Sequence, residues 1–480
     1  MSTSNSANGG RLGSNLIQDH LRDPRVDSGR KCKRHSAYSN KWPIRQMHNK
    51  NSAILLVSGT CLFISAVALA DTSEDIFRNA LNYTVQIKTT VPLPFDGDRK
   101  NSSLGAGFLV DAARGWVMTN AHVVSRSPSR VDLAFHGQDF KEATKIYVDP
   151  YLDLALIKVN ERVDTRGITT PQLDCGGLPA VGHPVGAFGH PWRLQFTGTR
   201  GIISGVTAKY RTEMLQTDAP INAGNSGGPL ISLDSGKIVG INSATIRNAQ
   251  NTNFALAMKY ACRVLRLLQE GRDPSPPDLD LVYFQDVDNS KVLKVARSYS
   301  VPGMLPFHSG DVIKAIVGDT APIENETQLL HALRGHPEES SIKVLRNSLE
   351  LVINGNKTFM PRVLSQRGVY ASGLLFGPVT FRDADEIRMR GFMVHHVEPG
   401  SDGESQEVLK SDLLEAIDGE KVEHLDKLFK RLSDSQNKGG GVQFTFKRVS
   451  DNNYTMFSYI QRTLTISDLR VIGPVLANIK

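Results

Sequence analysis

Cysteine is scarce in this chain, four among 480 residues. None is spaced like a zinc or iron–sulfur ligand set, so no metal and no cofactor is expected. Cys32 and Cys61 fall within the first 70 residues; Cys175 and Cys262 remain, and the sequence leaves their pairing open. A surplus of one charge is also missing where it would matter. The formal net charge is +7, but residues 1–70 hold ten Lys/Arg and three Asp/Glu, which leaves 46 of each for the remainder. With no Lys/Arg cluster in that neutral part, a nucleic-acid partner is excluded. Long apolar runs are absent too, with one exception near the N-terminus.

That exception, residues 53–69, is uninterrupted by charge and is followed by Ala68-Leu-Ala70 before Asp71. An apolar core with a small-x-small end reads as a secretory signal peptide, flanked by Arg45, His48 and Lys50. The 46 residues ahead of Met47 are polar, rich in Ser, Asn and Arg, and without periodicity, a disordered basic leader. The expectation is that translation begins at Met47 and the signal, residues 47–70, is removed. The rival is an uncleaved anchor, with membrane association through residues 53–69 and the basic side kept in the cytoplasm.

What the chain does have is a serine among glycines. Thr217-Asp-Ala-Pro-Ile-Asn-Ala-Gly-Asn-Ser-Gly-Gly-Pro places Ser226 between Gly224 and Gly227-Gly228, just before an apolar strand. A serine hydroxyl is a useful nucleophile only with a base beside it and donors for the oxyanion. Glycine two residues earlier allows a sharp turn that aims the N–H groups of Gly224 and Ser226 at one point, a candidate oxyanion hole. Upstream, His122 follows a strand-like run in Trp116-Val-Met-Thr-Asn-Ala-His-Val-Val. Asp153 opens an alternating strand in Asp149-Pro-Tyr-Leu-Asp-Leu-Ala-Leu-Ile-Lys-Val. The order His, Asp, Ser is that of chymotrypsin. It assigns Ser226 as nucleophile, His122 as general base and then acid, and Asp153 as the residue that fixes the imidazole tautomer.

With these residues in view, the chain resembles the HtrA/DegP-like trypsin-fold serine proteases. The matching pieces are Gly105-Ala-Gly-Phe-Leu-Val, Thr119-Asn-Ala-His-Val-Val, Asp149-Pro-Tyr-Leu-Asp-Leu-Ala, Thr197-Gly-Thr-Arg-Gly-Ile-Ile-Ser-Gly, Gln216-Thr-Asp-Ala-Pro-Ile-Asn and Gly224-Asn-Ser-Gly-Gly-Pro-Leu. The resemblance implies homo-oligomers, trimers built through the N-terminal segment. Residues 204–216 are shorter than that family's regulatory loop.

The predicted fold is mainly β, a chymotrypsin-like double β-barrel followed by two small α/β PDZ-like domains. Strands are expected at 84–88, 105–110, 116–119, 131–135, 144–148 and 154–159. A second set is expected at 185–189, 196–206, 214–217, 228–232, 238–242 and 253–257. Helices are expected from 72 and over 258–271, the latter ending on a glycine. A Pro-rich joint, Arg272-Asp-Pro-Ser-Pro-Pro-Asp, closes a protease domain at 71–271. Beyond it Ser309-Gly-Asp-Val-Ile-Lys-Ala-Ile is echoed by Lys410-Ser-Asp-Leu-Leu-Glu-Ala-Ile, 101 residues apart at Asp311 and Asp412. The two copies, 272–362 and 363–465 with a tail at 466–480, resemble bacterial PDZ domains, which bind C-terminal peptides by strand addition. In the second copy the gripping residues are expected to be Gly391, Phe392, Met393 and Val394, walled by a helix at 425–432. In the first, Asp288-Asn-Ser-Lys-Val-Leu departs from the glycine-hydrophobic pattern.

Six residues before the nucleophile stands Pro220, which brings no charge to a specificity pocket, and Ile241 and Ser243 resemble the family's apolar pocket wall. Cleavage after small or branched apolar residues is expected, with loose preference, because one methylene discriminates by only about 1–3 kcal/mol. His183, His190 and the His395-His396 pair fit no metal spacing. The leading expectation is an exported endopeptidase for unfolded or misfolded proteins in the bacterial periplasm. The alternatives are a PDZ scaffold that binds unfolded chains without cutting them, and an inner-membrane-anchored protease facing the periplasm that cuts one regulatory substrate.

Overall fold

Alternating apolar and polar residues between Thr84 and Ala257 build twelve short strands, and in this computed structural model they close into two barrels. The structure describes residues 72–474 apart from 96, 162–167, 169, 191–195, 208–211, 246–251, 285–291, 320, 380–390 and 450–455. The leader and signal reading therefore lies outside the described residues, as do residues 288–291 of the first copy's divergent loop. Among the described residues no helix is long and apolar enough to cross a membrane.

The first barrel is β1 (Thr84–Val91), β2 (Asn101–Asp111), β3 (Trp116–Thr119), β4 (Arg130–Phe135), β5 (Lys141–Asp149) and β6 (Leu154–Val159), joined in the order β1-β2-β3-β6-β5-β4. The second is β7 (Pro184–Gly189), β8 (Thr197–Thr207), β9 (Met214–Thr217), β10 (Pro229–Ser232), β11 (Ile238–Thr245) and β12 (Asn253–Ala257). Its order, β7-β8-β9-β12-β11-β10, repeats the first winding. This is the expected chymotrypsin-like double barrel. Closure removes the free edges that twelve short strands would otherwise expose.

Helix α1 (Thr72–Tyr83) lays Phe77 edge-on against Phe188 of β7, ring centroids 4.6 Å apart, before the chain enters the first barrel. The one-turn helix α2 (Ala121–Val124) follows β3. Helix α3 (Met258–Gln269) buries Met258, Tyr260, Ala261, Val264, Leu265 and Leu267. Its end is set at Gly271 (φ 71°), where Gly271 and Arg272 donate back to Leu268 and Leu267.

Cys175 and Cys262 are joined, Cα atoms 5.7 Å apart, fixing α3 to the crossover between the barrels. The bridge closes a separation of 87 residues, for which loop-closure entropy gives at most about 4.5 kcal/mol. Reduction is expected to lower the thermal midpoint by roughly 10 °C. Calorimetry with and without reductant checks this, against a Cys175→Ser/Cys262→Ser variant.

Two β-rich modules follow. The first has β13 (Pro277–Asp278), β14 (Leu281–Tyr283), β15 (Leu293–Ser298), β16 (Val312–Ile316), helix α4 (Glu326–Leu333), β17 (Glu339–Arg346), β18 (Leu349–Asn356) and β19 (Thr358–Phe359). The second has β20 (Gly368–Ala371), β21 (Leu374–Pro378), β22 (Phe392–Val397), β23 (Leu413–Ile417), β24 (Glu420–Lys421), a helix at Leu425–Lys438, β25 (Gly441–Val449), β26 (Phe457–Thr465) and β27 (Arg470–Ile472). Each has its own apolar cluster.

The sequence echo is also a structural one. Asp311 takes Arg346 Nε and Nη2 (2.7 and 2.8 Å), and Asp412 takes Arg448 Nε and Nη2 (both 2.7 Å). The same two carboxylates accept from His308 N and Leu409 N, three residues upstream in each copy. One device thus pins the same turn to the same strand twice.

The tail differs from expectation. Residues 470–472 return as β27 and pair with the outer edge of β20, so part of the stretch expected to lie beyond the module belongs to its sheet. The second module also reaches the first barrel: Phe95 packs with Tyr370 and Leu375, 4.8 Å from the His395 ring.

Candidate active site

β3 ends in Thr119-Asn120, and Asn120, extended at φ −84°, starts α2 and turns His122 out of the barrel. The loop after it is clamped. Asp98 accepts from Ser125 Oγ, Arg126 N, Ser127 N and Ser127 Oγ, and the Lys145 ammonium donates to Ser125 O, Ser127 O and Ser129 Oγ. Burial pushes Lys145 down to about 8.

Asp153 closes the turn between β5 and β6 with φ 53°. The turn is shaped by Asp149, whose Oδ1 accepts from Tyr151 N (3.0 Å) and Leu152 N (2.9 Å). Asn120 Nδ2 donates to Asp153 O (2.9 Å), tying the two loops together. Asp153 Oδ1 then accepts His122 N (3.0 Å), while Oδ2 faces His122 Nδ1 (2.7 Å) and accepts from Ser243 Oγ (2.9 Å).

From the second barrel comes the serine elbow. Asn225 N donates to Asn222 O (2.9 Å), closing a turn whose third residue, Gly224, sits at φ 106°, the type II arrangement that only glycine takes readily. Gly227, at φ 84°, packs so closely on the first barrel that a Cβ there would overlap Thr119 Oγ1 and the Ala106 carbonyl. Ala106 N donates to Ser226 O (2.8 Å), and Gly227 N to Asn242 O (2.8 Å). Among the described residues neither Gly224 N nor Ser226 N donates to another group.

Ser243 joins the two halves: its hydroxyl meets Asp153, and its carbonyl accepts from Ser226 Oγ (3.0 Å). The serine hydroxyl is thus hydrogen-bonded to Ser243 rather than to His122. The His122 side chain is 48% exposed and open to a substrate. Crowding by protein works against an imidazolium there, but the Asp153 carboxylate outweighs it and raises the His122 pKa above the ordinary histidine value. For Asp153 burial works upward, and His122 together with the Ser243 hydroxyl holds the carboxyl below its usual range.

The other expected site residues lie as follows. Pro220 is exposed, with its carbonyl accepting from Thr199 Oγ1. Ile241 is fully buried in the second barrel, and the Ser243 side chain is committed to Asp153, so of the expected pocket residues only Pro220 is exposed. The gripping residues of the second module need correction. Phe392, Met393 and Val394 lie on β22, an internal strand between β21 and β23, with side chains buried. A strand paired on both sides has no edge to offer a peptide, and Gly391 (φ 137°) only opens that strand. The helix Leu425–Lys438 packs instead beside β20. His395 and His396 go separate ways, to Pro378 O and to Glu398. Among the described residues no group of three or more His, Cys, Asp and Glu is placed to hold a metal ion.

Asn120 and Asp149 also escaped sequence reasoning. An aspartate followed by proline is a turn signal that could have pointed to Asp149; Asn120 carries no comparable mark.

Residues 105–241 match the trypsin-like peptidase domain family. A protein of Chlamydia pneumoniae named "Probable periplasmic serine endoprotease DegP-like" is 28% identical over 375 residues, covering 71% of this chain and 73% of that one. Serine endoprotease DegS of Escherichia coli is 34% identical over 182 residues, 35% of this chain and 50% of its own. A solved serine endoprotease from Yersinia pestis aligns with a TM-score of 0.44 at 24% identity, covering 60% of this chain and 98% of that one. The two six-stranded barrels, the peptidase-domain match and these endoprotease relatives show a serine endopeptidase that is similar to the HtrA/DegP-like serine proteases.

Proposed function

We propose that Ser226, His122 and Asp153 are the catalytic triad of this endopeptidase. The observation that carries the reading is the continuous set of contacts from His122 through Asp153 and Ser243 to the Ser226 hydroxyl. With Nδ1–H held by Asp153, the lone pair of His122 is on Nε2, the nitrogen that can take a proton. The Ser226 hydroxyl turns from the Ser243 carbonyl to Nε2, gives up its proton and attacks the substrate carbonyl. The oxyanion is held by the Gly224 and Ser226 N–H groups. The imidazolium returns the proton to the leaving amine, and water repeats the sequence on the acyl-enzyme. No metal or cofactor enters these steps.

The domain limits 71–271 and 272–362, a second module running from 363 through β27 at 472, and the PDZ-like character of the modules belong to the same proposal. The repeated Asp–Arg clasp and the strand–helix–strand order of both copies support the module assignment. Unfolded or misfolded proteins are the proposed substrates, since an extended backbone enters such a cleft more readily than a folded surface. Export to the periplasm is supported by the names of the relatives and by a disulfide of the kind kept in oxidising compartments. Assembly into homo-oligomers rests on family likeness.

Hydrolysis of an unfolded protein as a function of pH tests the triad. The base is neutral imidazole, so kcat/KM falls as His122 becomes protonated, and its raised pKa puts the midpoint above about 6.5. The linkage to stability runs oppositely. The ion pair stabilises the fold fully below the unfolded histidine pKa and loses that contribution as pH rises through the folded one. An acid limb centred well below 6 would remove His122 as the base.

A further inference from the structure

Helix α4 of the first module is held at both ends by the protease. At its N-terminus Glu213, next to β9, accepts from Asn325 Nδ2 and Gln328 Nε2, and its N–H donates to Thr327 Oγ1. At its C-terminus the carbonyls left unpaired by the helix are taken by arginines: Ala332 O and Arg334 O by Arg263 of α3, and Gly335 O by Arg272. A carboxylate at the start and guanidinium groups at the end both favour the helix dipole. The Arg334 side chain then runs into the first barrel and is fully buried. Its Nη2 lies 2.6 Å from Asp149 Oδ2, its Nη1 donates to Pro274 O (2.5 Å) and Tyr147 OH (3.3 Å), and Tyr147 OH donates to the same Asp149 oxygen (3.0 Å).

Asp149 is also the residue whose other oxygen holds the N–H groups of Tyr151 and Leu152, the turn that delivers Asp153 at φ 53°. A fully buried carboxylate keeps its aim only while its counter-ion is present, because removing one partner leaves the other without compensation. We propose that Arg334 is a positioning residue for the catalytic acid: the first module supplies the cation that fixes Asp149, Asp149 sets the turn, and the turn aims Asp153 at His122. The proposal rests on the triad reading above. The first module is then part of the hydrolytic machinery as well as any binding role it has.

The test uses the full chain and a short peptide p-nitroanilide, too small to span from the cleft to the module. Wild-type enzyme is first labelled with an organophosphonate; if Ser226 is not the labelled residue, the triad reading fails, independently of Arg334. Arg334→Met is expected to lower kcat by about 10–100-fold with KM nearly unchanged, as for a roughly 1 Å displacement of a catalytic group. Its acid limb moves down toward the ordinary histidine value, because Asp153 no longer faces the imidazole squarely. Arg334→Met/Asp149→Asn is expected to recover most of the rate: the asparagine oxygen still accepts both N–H groups, and no unpaired charge remains. Should Arg334→Met not fold, Arg334→Lys, which keeps a cation but loses the fork, is read in the same assay. A folded Arg334→Met or Arg334→Lys enzyme with wild-type kcat and acid limb per titrated active site overturns the proposal. A rate loss that the double variant does not recover overturns it as well.

Discussion

Ser226→Ala is expected to lower turnover by about 10⁶-fold, to what the oxyanion donors and substrate binding supply alone. The fold should not change. Among the described residues the hydroxyl makes one hydrogen bond, to Ser243 O, whereas the elbow is held by the backbone, Ala106 N donating to Ser226 O and Gly227 N to Asn242 O. Circular dichroism and the thermal midpoint should match wild type while casein hydrolysis disappears. Residual cleavage above about one part in a thousand would assign the nucleophile elsewhere.

Asp153→Asn is expected to cost about 10⁴-fold in kcat. An amide that faces Nδ1 with its NH₂ makes that nitrogen an acceptor and moves the ring proton to Nε2. His122 then presents Ser226 with a donor where an acceptor is needed. Ser243 Oγ and His122 N also lose part of their charged acceptor. Nitrogen NMR of the imidazole reports the tautomer directly, beside the rate. A loss below about 100-fold would point to a different orienting acid, and Asp98, the other carboxylate whose field reaches His122, is the first to examine.

The barrels were legible because short antiparallel strands announce themselves locally. Expected strands at 116–119, 154–159, 214–217 and 253–257 coincide with β3, β6, β9 and β12. The serine elbow was legible for the same reason: its glycines are adjacent in the chain. What escaped were contacts between distant residues that carry no local motif of their own, unlike His122, Asp153 and Ser226. The link from Ser243 to Asp153 spans 90 positions and the disulfide 87. Arg334 lies at the end of an ordinary short helix, and nothing in its neighbours marks it for Asp149. The second module shows the converse limit. A glycine followed by apolar residues at 391–394 suits a peptide-gripping loop, but β21 and β23 take both of its edges, and only sheet order reveals that.

The barrels share one winding, and the proposed triad divides between them, His122 and Asp153 on one and Ser226 on the other. A chain emerging N-terminus first therefore displays His122 and Asp153 long before Ser226, and Arg334 later still. On the proposed triad, competence arrives only when both halves have docked, because neither barrel alone carries both the nucleophile and its base.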